Sequence, residues 1–137
     1  MSTPYESATL LIRLYELRRE PTMREARTWY VGKFNPTSVD DMIATLRGPD
    51  SAAFRMVTSY WDMAASFVLN GAIDEQMFAD ANGEHVIVYA KMEPFLAEYR
   101  QKMGNPNYYG SIEKLVMKAP GIKERLAGIR ERFKPRA

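Results

Sequence analysis

The segment at residues 50–70, DSAAFRMVTSYWDMAASFVLN, is apolar around more than half of its circumference when it is placed on a helical wheel. One face carries Phe54, Val57, Trp61, Ala64, Ala65 and Val68, and the side chains of Met56, Tyr60, Met63 and Phe67 extend it. The polar stripe that is left contains Arg55, Ser59, Asp62, Ser66 and Asn70. A helix with so little polar surface is typical of the centre of a bundle, so the segment predicts a central buried helix over about residues 51–70.

Helix start and stop signals surround this segment on both sides. The sequence Thr3-Pro4-Tyr5-Glu6 fits a capping box with proline at the first helical position. Ser38 and Asp74 are N-cap candidates further along, and Pro120 is expected to open the last helix. These signals predict an all-α fold, an irregular bundle of about six to eight helices that forms a single domain over residues 1–137.

One short stretch, residues 85–89 (HVIVY), has the β-branched composition of a strand. Its apolar residues continue at helical spacing as far as Met103, and the sequence offers no partner strand. We therefore interpret it as helix, with strand as the alternative. Pro94 should kink this helix, because proline lacks the N–H that would bond to the carbonyl four residues earlier.

Composition excludes several functional classes. The chain has 137 residues, no cysteine and one histidine, which rules out disulfides, thiolate zinc sites, cysteine nucleophiles and mechanisms that need two imidazoles. No phosphate-binding loop or nucleophile motif is present, so we assign no catalytic residue, cofactor or metal. The N-terminal residues do not resemble a secretory signal, and the apolar runs are too short for a membrane span, so we expect a cytoplasmic protein.

Three polar residues are candidates for a pocket or a buried ion pair. Asp62, on the polar stripe of the central helix, could face Arg100 on the kinked helix. His85 could join them, although an exposed or hydrogen-bonded structural role suits a lone histidine beside Glu84 better. The group would form a ligand site only if the bundle leaves space beside it.

The net charge of +2 conceals a division of sign along the chain. Residues 37–99 contain ten acidic and three basic side chains, a net charge of −7, whereas residues 112–137 contain three acidic and eight basic ones, a net charge of +5. Within the basic segment, a predicted amphipathic helix carries a narrow apolar stripe of Ile122, Leu126, Ile129 and Phe133. This stripe could dock on the acidic body of its own chain, on a second copy, or on an anionic membrane or nucleic acid.

Residues 61–74, WDMAASFVLNGAID, are followed by Tyr89, Pro94-Phe95, Arg100, Tyr108-Tyr109 and Glu113-Lys114-Leu115. With these residues the chain resembles a family of small helical bacterial proteins known only as a domain of unknown function, over about residues 37–117. The resemblance implies an all-helical bacterial protein and supports helix at residues 85–89. It implies no catalytic residues.

These observations favour a non-catalytic interaction or regulatory protein that self-associates, with a homodimer as the expected assembly. A ligand-binding or enzymatic bundle that uses Asp62, Arg100 and His85 is the alternative. Nucleic-acid binding through the basic C-terminal helix ranks last, since the acidic middle of the chain would repel the same polyanion.

Overall fold

The computed structural model describes residues 2–134, and within that range it contains helices and no strand. The α-helices, in chain order, are α1 (Pro4–Arg19), α2 (Pro21–Gly32), α3 (Val39–Arg47), α4 (Ser51–Leu69), α5 (Glu75–Ala81), α6 (Glu84–Met92), α7 (Leu96–Met103), α8 (Gly110–Val116) and α9 (Ile122–Phe133). A 3₁₀ turn, Glu93–Phe95, joins α6 to α7 without a break, so these two form one kinked unit. The predicted all-α bundle is confirmed, and residues 85–89 are helical.

The helix α4 lies at the centre of the bundle. The helices α2 and α8 make extensive contacts with it, and α3, α5 and α6 also touch it. Phe54, Trp61 and Ala64 are among its fully buried side chains, as the wheel predicted. Met63, which the same wheel placed on the extension of the apolar face, is exposed, whereas Met56 and Phe67 of that extension are partly buried.

Several helices begin where the sequence predicted a cap. Thr3 N–H donates to Glu6 Oε1 (3.0 Å) and Glu6 N–H donates to Thr3 Oγ1 (3.2 Å), which is the complete capping box. Ser38 and Asp74 accept backbone hydrogen bonds at the starts of α3 and α5. The last helix differs from expectation, because Gly121 adopts a left-handed conformation (φ 67°) after Pro120 and α9 begins only at Ile122.

Pro94 lies in the 3₁₀ turn between α6 and α7, where the sequence predicted a kink, and a residue of α9 bonds to the chain there. Because Pro94 has no N–H, the carbonyl of Ala90 loses its normal intrahelical donor. Arg130 Nη1 of α9 donates to that carbonyl (3.0 Å) and to Glu93 Oε1 (3.0 Å). The kink is therefore also the attachment point of the last helix.

No helix within residues 2–134 combines the length and the apolar character needed to cross a bilayer.

Candidate functional site

The amphipathic helix α9 packs against α6 of the same chain. Ile122, Leu126 and Ile129 are buried there, and Phe133 is partly buried. Its basic edge meets acidic residues of the middle segment, as in the Arg130–Glu93 ion pair. Of the three targets that the sequence allowed, the stripe contacts the body of its own chain.

Asp62 of α4 stabilises the start of α8. Its Oδ1 accepts a hydrogen bond from the backbone N–H of Ile112 (2.9 Å). The N-cap residue of α8, Tyr109, provides no side-chain cap of its own, so the carboxylate of Asp62 supplies the acceptor that the first turn needs.

Arg100 of α7 pairs with Glu113 of α8 instead of Asp62. Its Nη2 lies 3.1 Å from Glu113 Oε1, and its Nε donates to the carbonyl of Tyr108 (2.8 Å). Tyr89 OH donates to the same Glu113 carboxylate (3.1 Å). The expected ion pair between Asp62 and Arg100 does not form. Asp62 bonds to the backbone of Ile112 instead, and Arg100 pairs with Glu113.

His85, in the first turn of α6, lies among aromatic rings. Its ring centroid is 5.0 Å from that of Phe78 and 5.9 Å from that of Trp61, and the residue is 7% exposed. Nδ1 has no hydrogen-bond partner in the described residues. Burial, with a smaller contribution from the charge of Arg125, lowers the pKa of His85 to about 4, so the ring is neutral near pH 7. His85 is neither exposed nor bonded at Nδ1, and within residues 2–134 no hydrogen bond or ion pair joins it to Asp62 or Arg100.

A polar cluster beside His85 joins three helices, and sequence reasoning missed it. Glu84 accepts hydrogen bonds from Arg27 of α2 (Nε to Oε2, 2.8 Å) and from the indole Nε1 of Trp61 of α4 (3.0 Å). The Arg27 guanidinium makes a second bond to Glu84 Oε1 (3.1 Å), which gives a bidentate pair. Because Arg27 and Trp61 both bond to the Glu84 carboxylate, the cluster ties α2 and α4 to α6.

Lys91 is the functional candidate that the sequence analysis missed entirely. It is buried, and its Nζ, which has three N–H bonds, lies within hydrogen-bond distance of four acceptors: the carbonyls of Tyr30 (2.9 Å), Val31 (2.8 Å) and Phe34 (2.8 Å) and Asn35 Oδ1 (3.1 Å). These carbonyls lie in and just after the last turn of α2, where a helix leaves acceptors without donors. The sequence did hold a signal: Lys91 lies three residues after Val88 and four before Phe95, in the middle of an apolar helical pattern.

The ammonium of Lys91 has aromatic and carbonyl neighbours. The ring centroid of Phe133 lies 4.4 Å from Nζ, and within residues 2–134 no carboxylate forms an ion pair with Lys91. Burial lowers the pKa of Lys91 to about 8, while the carbonyl oxygens favour its charged form.

A cavity of about 440 Å³ opens beside Lys91, between the loop after α2, the kink and α9. We call it the Lys91 cavity. It is lined mainly by apolar surface, and its walls are formed by Asn35, Pro36, Thr37, Lys91, Phe95, Ala127, Arg130, Glu131, Phe133 and Lys134.

Comparison with protein families identifies a match over most of the chain. The family described as Domain of unknown function (DUF4760) matches residues 5–119. The chain belongs to this family. The predicted resemblance to a domain of unknown function is confirmed, and the DUF4760 match also takes in α2 and nearly all of α1, which lie before residue 37.

The match ends before α9, so the helix that forms one wall of the Lys91 cavity lies outside the matched region. Comparison with curated proteins and with solved structures finds no match.

Proposed function

We propose that this protein is a non-catalytic interaction module that self-associates through the outer face of α1. The observation that carries the proposal is the concentration of exposed apolar side chains on that helix. Among residues 2–134, six large hydrophobic side chains are exposed, and four of them belong to α1: Tyr5 (81%), Ile12 (60%), Tyr15 (50%) and Leu17 (48%). Apolar surface gathered on one element is typical of an interaction site.

The inner face of α1 is already attached to the bundle. Ser7 is buried and its Oγ accepts a hydrogen bond from the backbone N–H of Asp74 (3.0 Å). The carbonyl of buried Leu14 accepts a bond from Tyr60 OH (2.6 Å). On the opposite side of the helix, Tyr5, Ile12 and Arg19 follow one another at intervals of seven residues and form a ridge that faces solvent.

The chemistry of this ridge suits a second copy of the same chain. If two α1 helices pack antiparallel about a two-fold axis through Ile12, the two Ile12 side chains meet and each Tyr5 lies opposite Arg19 of the partner subunit. An arginine over a tyrosine ring is a favourable pair, and antiparallel helices also place opposite ends of their dipoles together. Within one chain, the guanidinium of Arg19 already lies 5.5 Å from the ring centroid of Tyr15.

The polar residues that could serve catalysis are bound to groups of their own chain, which supports the non-catalytic part of the proposal. Asp62 caps α8, Arg100 pairs with Glu113, and Glu84 holds Arg27 and Trp61. Each makes a structural contact that a substrate would have to displace.

The test is the solution mass of the full chain measured by sedimentation across concentrations from about 1 to about 500 µM, a range that captures the weak dimers expected of a single helix pair. We expect concentration-dependent dimerisation that Ile12→Arg abolishes. Ala97→Arg is the matched control, because Ala97 is an exposed helical residue of α7 outside the proposed interface, and it should dimerise like the wild type. A wild-type chain that stays monomeric throughout, or an Ile12→Arg variant that dimerises as well as the wild type, would refute the proposal.

A further inference from the structure

We propose that the Lys91 cavity binds a small amphipathic anion, a carboxylate that carries an apolar tail. This inference is independent of self-association through α1. A volume of about 440 Å³ is within the usual range for small-molecule sites, and the mainly apolar walls with a few charged groups match their usual composition.

The positive charge of the cavity walls favours an anionic ligand. Its walls carry Lys91, Arg130 and Lys134 against Glu131 alone, which leaves an excess of two positive charges. Arg130 is paired with Glu93, and Lys134 with Glu131. These pairs account for Arg130 and Lys134, so one positive charge without an ion pair among the described residues remains, at Lys91. Its ammonium is surrounded by neutral oxygens, and a buried charge without a counter-ion is stabilised by a ligand of opposite sign.

One of the four contacts of Lys91 can be exchanged for a ligand. The bond from Nζ to Asn35 Oδ1 is the longest of the four at 3.1 Å, and Asn35 is a half-buried side chain in the cavity wall. A carboxylate oxygen that displaces Asn35 Oδ1 would accept from Nζ, and the Asn35 side chain, turned away from Nζ, would donate from Nδ2 to the second carboxylate oxygen. The three backbone carbonyls would keep their bonds, so α2 would stay anchored.

The rest of the cavity suits an apolar tail. Phe95 and Phe133 are half-buried rings in its walls, and Pro36 and Ala127 continue the apolar surface. Covering these side chains with an alkyl chain removes apolar area from water, which is the main source of affinity for such a ligand.

The probe is octanoate, titrated into the full chain by calorimetry and by NMR. We expect saturable binding of one octanoate per chain, with NMR shifts at Asn35, Phe95 and Ala127. Octylammonium, which has the same tail and the opposite charge, should bind at least about tenfold more weakly because it meets the ammonium of Lys91. No saturable binding of octanoate, or equal binding of octylammonium, would overturn the proposal.

A variant locates the site without disturbing Lys91. Ala127 is an exposed helical residue at the cavity wall, so Ala127→Phe fills the cavity with little effect on folding. It should weaken octanoate binding at least about tenfold, a loss of about 1.4 kcal/mol. Ala52→Phe, at an exposed alanine of α4, is the matched control and should bind like the wild type. Equal affinity in Ala127→Phe would place the ligand elsewhere and contradict the assignment.

Discussion

His85 and Lys91 are both buried on α6, but the groups around Lys91 stabilise a positive charge and those around His85 do not. Lys91 keeps its ammonium group against four oxygen acceptors at the end of α2. His85 lies against Phe78 and Trp61, and its Nδ1 has no partner among the described residues. A charge can therefore be accommodated at Lys91 but is costly at His85.

The pH dependence of stability follows from the state of His85. The pKa of the buried ring is about 4, whereas the ring in the unfolded chain titrates near 6.5, so between these values the unfolded state binds more protons. The contribution of His85 to the free energy of unfolding is therefore fully present above about pH 6.5. It is lost as the pH drops toward 4, by an amount on the order of 3 kcal/mol. Urea unfolding of the wild type and of His85→Phe across this range measures the contribution.

The phenylalanine variant keeps an aromatic ring among Phe78 and Trp61 and removes the titrating group. At pH 7 we expect its free energy of unfolding to be equal to that of the wild type or higher, since no hydrogen bond at Nδ1 is lost. Its decline between pH 6.5 and 4 should be smaller than that of the wild type. If the stabilities of the two proteins decline in parallel over this range, folding does not lower the pKa of His85.

At the residue scale, the sequence predicted which side chains are apolar and buried better than what the polar ones do. Trp61 and Ala64 of α4 were predicted to be buried because a wheel needs only local spacing. The roles of Asp62, Arg100 and Lys91 depend on partners 50, 13 and about 60 residues away, and the sequence does not specify such distances. Lysine is also rarely buried, so composition argued against Lys91.

At the scale of elements, the starts and ends of helices are determined partly by local caps and partly by distant groups. The capping box at Thr3 and the cap at Ser38 were predictable, because each involves residues three apart in the sequence. The cap of α8 was not, because Asp62 supplies it from another helix. Pro120 was expected to open α9, but the left-handed turn at Gly121 delays the start of the helix to Ile122.

Two glycines of the C-terminal region should respond in opposite directions to the same substitution. Gly121 has φ of 67°, which strains any residue with a Cβ, so Gly121→Ala should destabilise the protein by about 1 kcal/mol or more. Gly128 lies inside α9 with open space around its Cα, so Gly128→Ala should stabilise by about 0.5–1 kcal/mol. Thermal unfolding of both variants checks the pair, and a stabilising Gly121→Ala would contradict the left-handed turn.

At the scale of the whole molecule, the basic C-terminal region neutralises part of the acidic middle. Lys118 pairs with Glu75, and Arg130 pairs with Glu93. The division of sign along the sequence therefore helps to hold the end of the chain against its body. The apolar contacts of α9 with α6 act in the same direction.

Deletion of residues 120–137 tests how much of the stability depends on this attachment. The deletion removes three buried side chains, Ile122, Leu126 and Ile129, each of which contributes about 1.5–3 kcal/mol, and this sum is a large part of a typical total of about 5–15 kcal/mol. We expect a melting temperature lower by about 10 °C or more and increased binding of an apolar dye to the uncovered face of α6. A melting curve and a solution mass that both match the full chain would show that α9 contributes little.

The proline in the kinked helix also has a consequence for how α9 finds its register. An apolar stripe that repeats every three or four residues can slide by one turn along its neighbour and still bury similar surface. The carbonyl of Ala90, by contrast, is a single acceptor at one position along α6. Because Pro94 frees the carbonyl of Ala90 and Arg130 bonds to it, one alignment of α9 on α6 satisfies a hydrogen bond that every shifted alignment would leave unmade.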